Sequence, residues 1–139
     1  MKALITLFAL LSCAANAQTL TGKEFDALSR GTTMHFTNQG LFFGSEQFFA
    51  GQRTAWRADD GRCVNGKWAY RAPAICFDYD DGSGPSCWTI EGNADGLTVT
   101  STRTNDGEPP LVLTLSHQDK SDIVCTGPLF GVAFSPAQN

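Results

Sequence analysis

The two histidines of the chain, His35 and His117, are its first candidates for chemistry. A histidine within hydrogen-bond reach of a hydroxyl and a carboxylate can act as a general base in hydrolysis. His117 lies two residues before Asp119, whereas His35 precedes Phe36 in an apolar segment. The chain has no Gly-x-Ser-x-Gly motif that would supply an activated serine. We therefore expect structural histidines and assign no catalytic residue, with a small secreted hydrolase as an alternative.

Carboxylates offer two further kinds of chemistry. The acidic segment 78–84, Asp-Tyr-Asp-Asp-Gly-Ser-Gly, has oxygen ligands that suit calcium, but its register misses the EF-hand loop by one residue. We expect an acidic, solvated turn and predict no metal site and no cofactor. The four glutamates, Glu24, Glu46, Glu91 and Glu108, could form an acid pair for glycoside hydrolysis, although any chain of this length contains such residues.

Large aromatic side chains are frequent between residues 42 and 88. We expect most of them to build the core, since a small β-domain needs their buried area. The alternative is an apolar binding surface or a cleft for a sugar or lipid. The residues concerned are Phe42, Phe43, Phe48, Phe49, Trp56, Trp68, Trp88, Tyr70 and Tyr79.

The first seventeen residues have the pattern of a secretory signal peptide. Lys2 precedes an apolar run of about nine residues, and Ala15-Asn16-Ala17 is a small-x-small cleavage site. The run is too short to span a bilayer as a helix. Leu10-Leu11-Ser12-Cys13 resembles a bacterial lipobox, so a lipid anchor at Cys13 is the alternative. We expect a periplasmic or secreted protein with one domain at residues 18–139.

The remaining four cysteines are expected to form disulfides in an oxidising compartment. If the segments 74–79 and 86–91 pair with Cys76 opposite Cys87, both sulfurs lie on one face and Ile75 and Trp88 lie on the other. That pairing leaves Cys63 for Cys125. Four cysteines allow three connectivities, so the other two stay open. No Cys-x-x-Cys motif supports a redox pair or a zinc site.

Alternation of apolar and polar residues predicts an all-β fold with one short N-terminal helix. Thr21 and Glu24 form a capping-box pattern, and Gly31 would end the helix. Dense turn signals favour an antiparallel meander that closes into a barrel or forms a two-sheet sandwich. Asn65-Gly66 is the sharpest predicted hairpin turn. The predicted strands are residues 32–36, 40–43, 46–49, 54–57, 62–64, 67–71, 74–79, 86–91, 97–102, 111–116 and 123–125.

Charge limits the class of partner. Removal of the leader leaves nine basic and fourteen acidic side chains, which are scattered along the chain and form no basic stripe. We therefore expect no nucleic-acid partner. The partner is expected to be an unknown ligand or a component of the cell envelope.

Two sequence patterns resemble known families. The first consists of Cys63-x-x-Gly66-x-Trp68, Ile75-Cys76-Phe77-x-Tyr79 and Cys87-Trp88. Together they resemble small exported bacterial proteins that lack an assigned activity, which implies a shared disulfide-linked β-fold but supplies no catalytic residues to assign to this chain. Gly66-Lys67-Trp68 is also similar to the Gly-x-Trp motif that opens the first barrel strand of lipocalins.

These observations predict an exported, non-catalytic β-domain that acts as a binding or structural module of the cell envelope. The first alternative is a barrel-type carrier of a small apolar ligand, which an enlarged interior lined by Trp and Phe would favour. The second is the small hydrolase, which requires a histidine beside a carboxylate and a hydroxyl in a cleft.

Overall fold

Eight antiparallel strands close into a barrel in the computed structural model, which describes residues 17–93 and 96–126. Neighbours in sequence pair along the wall, and β9 pairs with β2 to close it. The barrel strands are β2 (Thr33–Asn38), β3 (Leu41–Phe48), β4 (Arg53–Ala58), β5 (Cys63–Arg71), β6 (Ala74–Tyr79), β7 (Ser86–Asn93), β8 (Gly96–Ser101) and β9 (Val112–Asp119). The fold is therefore all-β, as predicted, and it is a closed barrel and not a two-sheet sandwich.

Three smaller elements complete the described chain. Strand β1 (Gln18–Thr19) pairs with β7 at Glu91 and Gly92. Helix α1 (Gly22–Ser29) follows it, and one 3-10 turn (Ala50–Gln52) joins β3 to β4. The predicted signal peptide, apart from Ala17, lies outside the described residues.

Because apolar and polar residues alternate along each strand, apolar side chains fill the barrel interior. On β6, Ile75 and Phe77 point inward, and Cys76 between them points outward, as the sequence pattern predicts. An eight-stranded barrel has an interior just wide enough for side chains or for one small ligand. The buried core comprises Phe25, Met34, Phe36, Phe48, Trp68, Ile75, Phe77, Ile90, Leu97, Val99 and Leu113.

Helix α1 closes one end of the barrel. Thr21 accepts a hydrogen bond from the Glu24 amide, and the Glu24 carboxylate accepts one from the Thr21 amide, which completes the predicted capping box. Gly31 leaves the helix with a φ of 72°. Phe25 inserts into the core and contacts Trp68 edge-on, at 5.0 Å between ring centroids. Among the described residues, no helix has the length and apolar character needed to cross a membrane.

Both disulfides lie outside the barrel wall. Strands β6 and β7 have the expected register, and Cys76 and Cys87 face each other with Cα atoms 4.0 Å apart. Cys63 at the start of β5 is bonded to Cys125, with Cα atoms 5.7 Å apart. These are the two pairings that the sequence favoured.

The Cys63–Cys125 disulfide fastens residues 120–126, here called the C-terminal strap, across the outer wall. The carbonyl oxygens of Ser121 and Val124 accept hydrogen bonds from Thr33 and Arg57. The Thr126 amide donates to the Gly61 carbonyl. These contacts span β2 to β5, so the strap covers outward-facing side chains that would otherwise meet solvent. The predicted strand at 123–125 is wrong: this segment has no strand structure.

The predicted hairpin turn at Asn65-Gly66 is also wrong. Both residues lie inside β5, whose nine residues replace two short predicted strands. A Cβ atom at Gly66 would lie 2.7 Å from the Asp78 carbonyl oxygen and 2.9 Å from the Tyr79 ring. The glycine is therefore required by close packing of β6 and not by a turn. The segments 40–43 and 46–49, predicted as separate strands, are likewise joined in one strand, β3, which begins at Leu41 and ends at Phe48.

Candidate functional site

A cavity of about 210 Å³ lies inside the barrel. Nearly all of its wall is aromatic or aliphatic, and one carboxyl group, that of Glu46, faces it. Helix α1 and the strands β2, β3, β4, β6, β7, β8 and β9 contribute side chains to the wall. The lining residues are Phe25, Phe36, Phe43, Glu46, Phe48, Trp56, Phe77, Tyr79, Ser86, Trp88, Ile90, Val99 and Leu113.

The cavity is sealed at the helix end and approaches solvent at the opposite end. Phe25 and Phe48, which line its floor beside α1, are 1% and 2% exposed. Phe43, Tyr79 and Trp88, which lie toward the loops at the other end, are only half-buried. A ligand would therefore enter between the loops that join β2 to β3, β4 to β5, β6 to β7 and β8 to β9.

Two glycines on the inner wall make room for large rings. A Cβ atom at Gly44 of β3 would overlap the indole of Trp56 on β4. A Cβ atom at Gly66 of β5 would likewise lie too close to the Tyr79 ring on β6. Because neither glycine has a side chain, both rings lie against the wall and leave the barrel axis open.

Glu46 is the acidic residue of the cavity wall, and it is 3% exposed. Both of its carboxyl oxygens accept hydrogen bonds: Thr54 Oγ1 donates to Oε1, and Tyr79 Oη donates to Oε2 over 2.8 Å. Burial raises the pKa of Glu46 from its ordinary value of 4.5 to about 8, and the two hydrogen bonds offset part of that rise. Burial, together with the adjacent Glu46, also raises the pKa of Tyr79 well above 10.

At neutral pH the Glu46 carboxyl group is therefore mostly protonated. A protonated carboxyl has one O–H to donate and still accepts hydrogen bonds. It would hold a neutral molecule by a hydrogen bond without the large cost of a buried charge. A second polar pair lies nearby, since Trp88 Nε1 donates to Ser86 Oγ over 2.9 Å.

The two histidines meet on the outer face of the same wall. Their rings stack with centroids 4.0 Å apart, because β2 pairs with β9 and places His35 opposite His117. His35 Nδ1 lies 2.8 Å from Ser45 Oγ, and its Nε2 lies 3.4 Å from Asp119 Oδ2. A hydroxyl, an imidazole and a carboxylate are thus adjacent, as the hydrolase interpretation requires.

The arrangement around Ser45 has no access for a substrate. Ser45 is 3% exposed, and it lies in the middle of β3, where it pairs with both His35 and Arg57. A nucleophile must approach a reacting carbonyl to within about 3–3.5 Å, which the covered hydroxyl cannot do. The serine hydroxyl is therefore placed to orient the His35 ring.

The other candidate residues lie in three kinds of place: the barrel wall, the protein surface and a loop. Of the phenylalanines on β3, Phe48 is core, Phe43 lines the cavity and Phe42 is 45% exposed.

The acidic segment 78–84 forms the end of β6 and its loop, where Asp81 accepts a hydrogen bond from the Ser83 amide. That bond lowers the pKa of Asp81. Among the described residues, the segment is not part of a three-residue group with metal-ligand spacing.

Sequence reasoning did not single out Glu46 as a site residue. Its one signal was its position: an acid at residue 46 occupies an inward position of β3 between Gly44 and Phe48. The predicted break at residues 44–45 hid that alternation. Likewise, His117 and Asp119 share a face of one strand, but only closure of the barrel brings His35 to them.

Comparisons of this chain with protein-family models, with curated proteins and with solved structures found no match. The resemblance to small exported bacterial proteins stays a prediction.

Proposed function

We propose that this protein is an exported, non-catalytic carrier that binds one small, neutral, mostly apolar molecule inside its barrel. The observation that supports it most is the apolar cavity of about 210 Å³ with the Glu46 carboxyl group in its wall. An aromatic-lined interior of this kind favours a carrier over a purely structural module of the envelope.

The cavity volume sets the size of the ligand. An apolar cavity of about 150 Å³ in another protein binds benzene, so about 210 Å³ suits roughly eight non-hydrogen atoms. One aromatic ring with a short substituent, or a branched aliphatic molecule of similar bulk, fits this limit.

The polar group of the ligand follows from Glu46. Its oxygens already accept hydrogen bonds from Thr54 and Tyr79, so the group it can still offer when protonated is its own O–H. The matching ligand group is a neutral acceptor such as a carbonyl oxygen. A carboxylate ligand would place a second acidic group beside Glu46 in an apolar space and would be rejected.

Export and the absence of catalysis are parts of the same proposal. The leader pattern at residues 1–17 and the two disulfides favour a periplasmic or secreted location. The covered hydroxyl of Ser45 argues against the hydrolase alternative.

Binding of three probes of similar size tests the proposal. We expect acetophenone, which has a carbonyl acceptor, to bind more tightly than cumene, and benzoate to bind least at pH 6. Nuclear magnetic resonance of the indole N–H groups reports the location, because Trp56 and Trp88 line the cavity and Trp68 lies deeper in the core. The signals of Trp56 and Trp88 should shift more than that of Trp68.

Two substitutions on one strand provide the control. Val99 points into the cavity, so Val99→Phe should fill it and abolish the shifts with acetophenone. Thr98, the preceding residue of β8, has the opposite orientation, so Thr98→Phe should leave them unchanged. Binding of no probe by the unsubstituted protein, or equal binding by the Val99→Phe protein, would refute the carrier.

A further inference from the structure

The outer face of the β2–β9 pair brings together three side chains that the proposed carrier does not use. His35 and His117 are opposite each other in the register, and Asp119 follows two residues after His117, on the same face of β9. One nitrogen of each histidine and one carboxylate oxygen of Asp119 all lie within 4.8 Å of one another.

A hydroxyl group lies beside the remote nitrogen of each imidazole, and a second group occupies the other oxygen of the carboxylate. His35 Nδ1 is 2.8 Å from Ser45 Oγ, and His117 Nδ1 is 3.1 Å from Ser116 Oγ. Asp119 Oδ1 accepts hydrogen bonds from the amide and the hydroxyl of Ser121, at 2.9 and 2.6 Å. Metal-binding histidines and carboxylates are commonly oriented in this way, by a hydrogen bond to the atom that does not bind the ion.

The three remaining atoms face one another. Asp119 Oδ2 lies 3.4 Å from His35 Nε2 and 3.9 Å from His117 Nε2. His35 Nε2 is buried, and among the described residues this 3.4 Å contact with Asp119 is its one polar contact, with no well-formed hydrogen bond. A buried nitrogen that is satisfied only by so long a contact is costly, and such atoms in native structures call for an explanation.

We propose that His35 Nε2, His117 Nε2 and Asp119 Oδ2 bind one divalent first-row transition-metal ion, for which zinc is the test ion. With zinc–ligand bonds of about 2.0–2.1 Å, neighbouring ligand atoms in a tetrahedral site lie roughly 3.3–3.4 Å apart. The distances from Asp119 Oδ2 are close to this spacing. Two imidazoles and a carboxylate are donors that suit zinc and its neighbours in the first transition row.

Coordination requires one movement. The two rings are nearly parallel, at 7°, so their Nε2 lone pairs run side by side and do not converge. The His117 side chain is 61% exposed and can rotate toward the ion, whereas His35 is held in the wall. Because His117 and Asp119 both reach solvent, the fourth position would be open to water or to an external ligand.

Calorimetry with zinc chloride tests the site, on protein purified with both disulfides formed and stripped of metal by a chelator. We expect one zinc ion per chain. His117→Ala and Asp119→Asn should each weaken binding at least about tenfold. The amide introduced by Asp119→Asn still offers an oxygen to Ser121, so that substitution changes the ligand charge more than the fold. Asp106→Asn, in the exposed loop before β9, is the matched control and should bind zinc normally.

The histidine spectrum gives a second readout that a merely structural role would not change. His35 and His117 are the two histidines of the chain, so zinc should shift both Nε2 signals in a nitrogen spectrum of the imidazoles. The site is refuted if the unsubstituted protein binds no zinc, if the Nε2 signals do not shift, or if either substitution leaves the affinity unchanged. The cavity probes report the carrier separately, because the two sites lie on opposite faces of the wall.

Discussion

The inner and outer faces of strand β3 carry opposite kinds of chemistry on adjacent residues. Glu46 points into an apolar cavity, where burial raises its pKa to about 8. Ser45, its neighbour, points outward to His35, within a polar cluster that includes Asp119. Both residues are 3% exposed. Glu46 is covered by side chains of the barrel interior, whereas Ser45 is covered by side chains on the outer face of the wall.

A strand wall can separate two chemical environments over the thickness of one backbone. Side chains alternate across the wall, so a substitution at residue 46 acts on the interior and one at residue 45 acts on the outer cluster. If the faces are independent, each should respond to its own substitutions and not to those of the other.

Loss of the Cys63–Cys125 disulfide should have the largest effect, both on stability and on zinc binding at the outer face. The Cys63→Ser/Cys125→Ser double variant opens a loop of 62 residues and should lower the free energy of unfolding by about 4 kcal/mol in the chain-entropy model. It should also release the C-terminal strap and weaken zinc binding, because Ser121 orients Asp119. Urea denaturation and zinc calorimetry measure the two effects.

The other disulfide is the control for that prediction. Cys76→Ser/Cys87→Ser opens a loop of only 11 residues and should cost about 3 kcal/mol. It lies on β6 and β7, away from the strap, so zinc binding should be retained. Equal loss of zinc binding in both double variants would show that the outer cluster depends on overall stability and not on the strap.

Glu46 should make stability fall as pH rises. Its pKa is about 8 in the folded protein and near 4.5 when unfolded, so the folded state binds more protons between these values. The free energy of unfolding should therefore decrease across that window, by at most about 1.4 kcal/mol per pH unit from this group. Glu46→Gln should flatten the dependence, as measured by urea midpoints at pH 5, 6, 7 and 8.

Glu91 is the matched control, since it is exposed on the outward side of β7. Glu91→Gln should keep the slope of the unsubstituted protein. A Glu46→Gln protein whose stability still falls as steeply between pH 5 and 8 would contradict the assignment of this pH dependence to the cavity acid.

Gly44→Ala should disturb the inner face by overpacking. The added Cβ would overlap the indole of Trp56, which must then move into the cavity, at a cost of about 2 kcal/mol. Gly92→Ala on β7 is the control, because its Cβ would meet only ordinary contacts, the nearest at 3.8 Å. Urea denaturation measures the cost, and the Trp56 indole N–H signal should shift in the Gly44 variant alone.

The sequence predicted the elements whose signals are local. The capping box at Thr21 and Glu24, the alternation of β6 and the Cys76–Cys87 register each depend on a few neighbouring residues, and the structure has all three. The prediction of a turn at Asn65-Gly66 failed because an Asn-Gly dipeptide can either form a hairpin turn or allow two strands to approach closely. The Asp78 carbonyl oxygen and the Tyr79 ring, both on the next strand, decide between these two.

The sites depend on contacts that the sequence does not reveal. Glu46 becomes a cavity residue because β3 is continuous, and His35 meets His117 because the first and last barrel strands pair. Closure joins residues from opposite ends of the barrel sequence, with no local pattern at either one. The sequence alone therefore predicts a wall of antiparallel strands with alternating side chains, but it does not predict which residues of distant strands lie next to each other.

Ser45→Ala gives the smallest expected effect and the most direct test of the two faces. It removes the hydroxyl beside His35 Nδ1 and should cost about 1 kcal/mol, because that nitrogen loses its partner in a covered position. The nitrogen signals of His35 should shift, while acetophenone binding in the cavity stays unchanged. Ser116→Ala, which removes the hydroxyl beside His117 Nδ1 and its hydrogen bond to the His35 carbonyl, is the control on the exposed side, where water can replace the hydroxyl and the cost should be smaller. A change in acetophenone affinity in the Ser45 variant would mean that the backbone of β3 transmits the disturbance, so that adjacent residues on opposite faces are coupled after all.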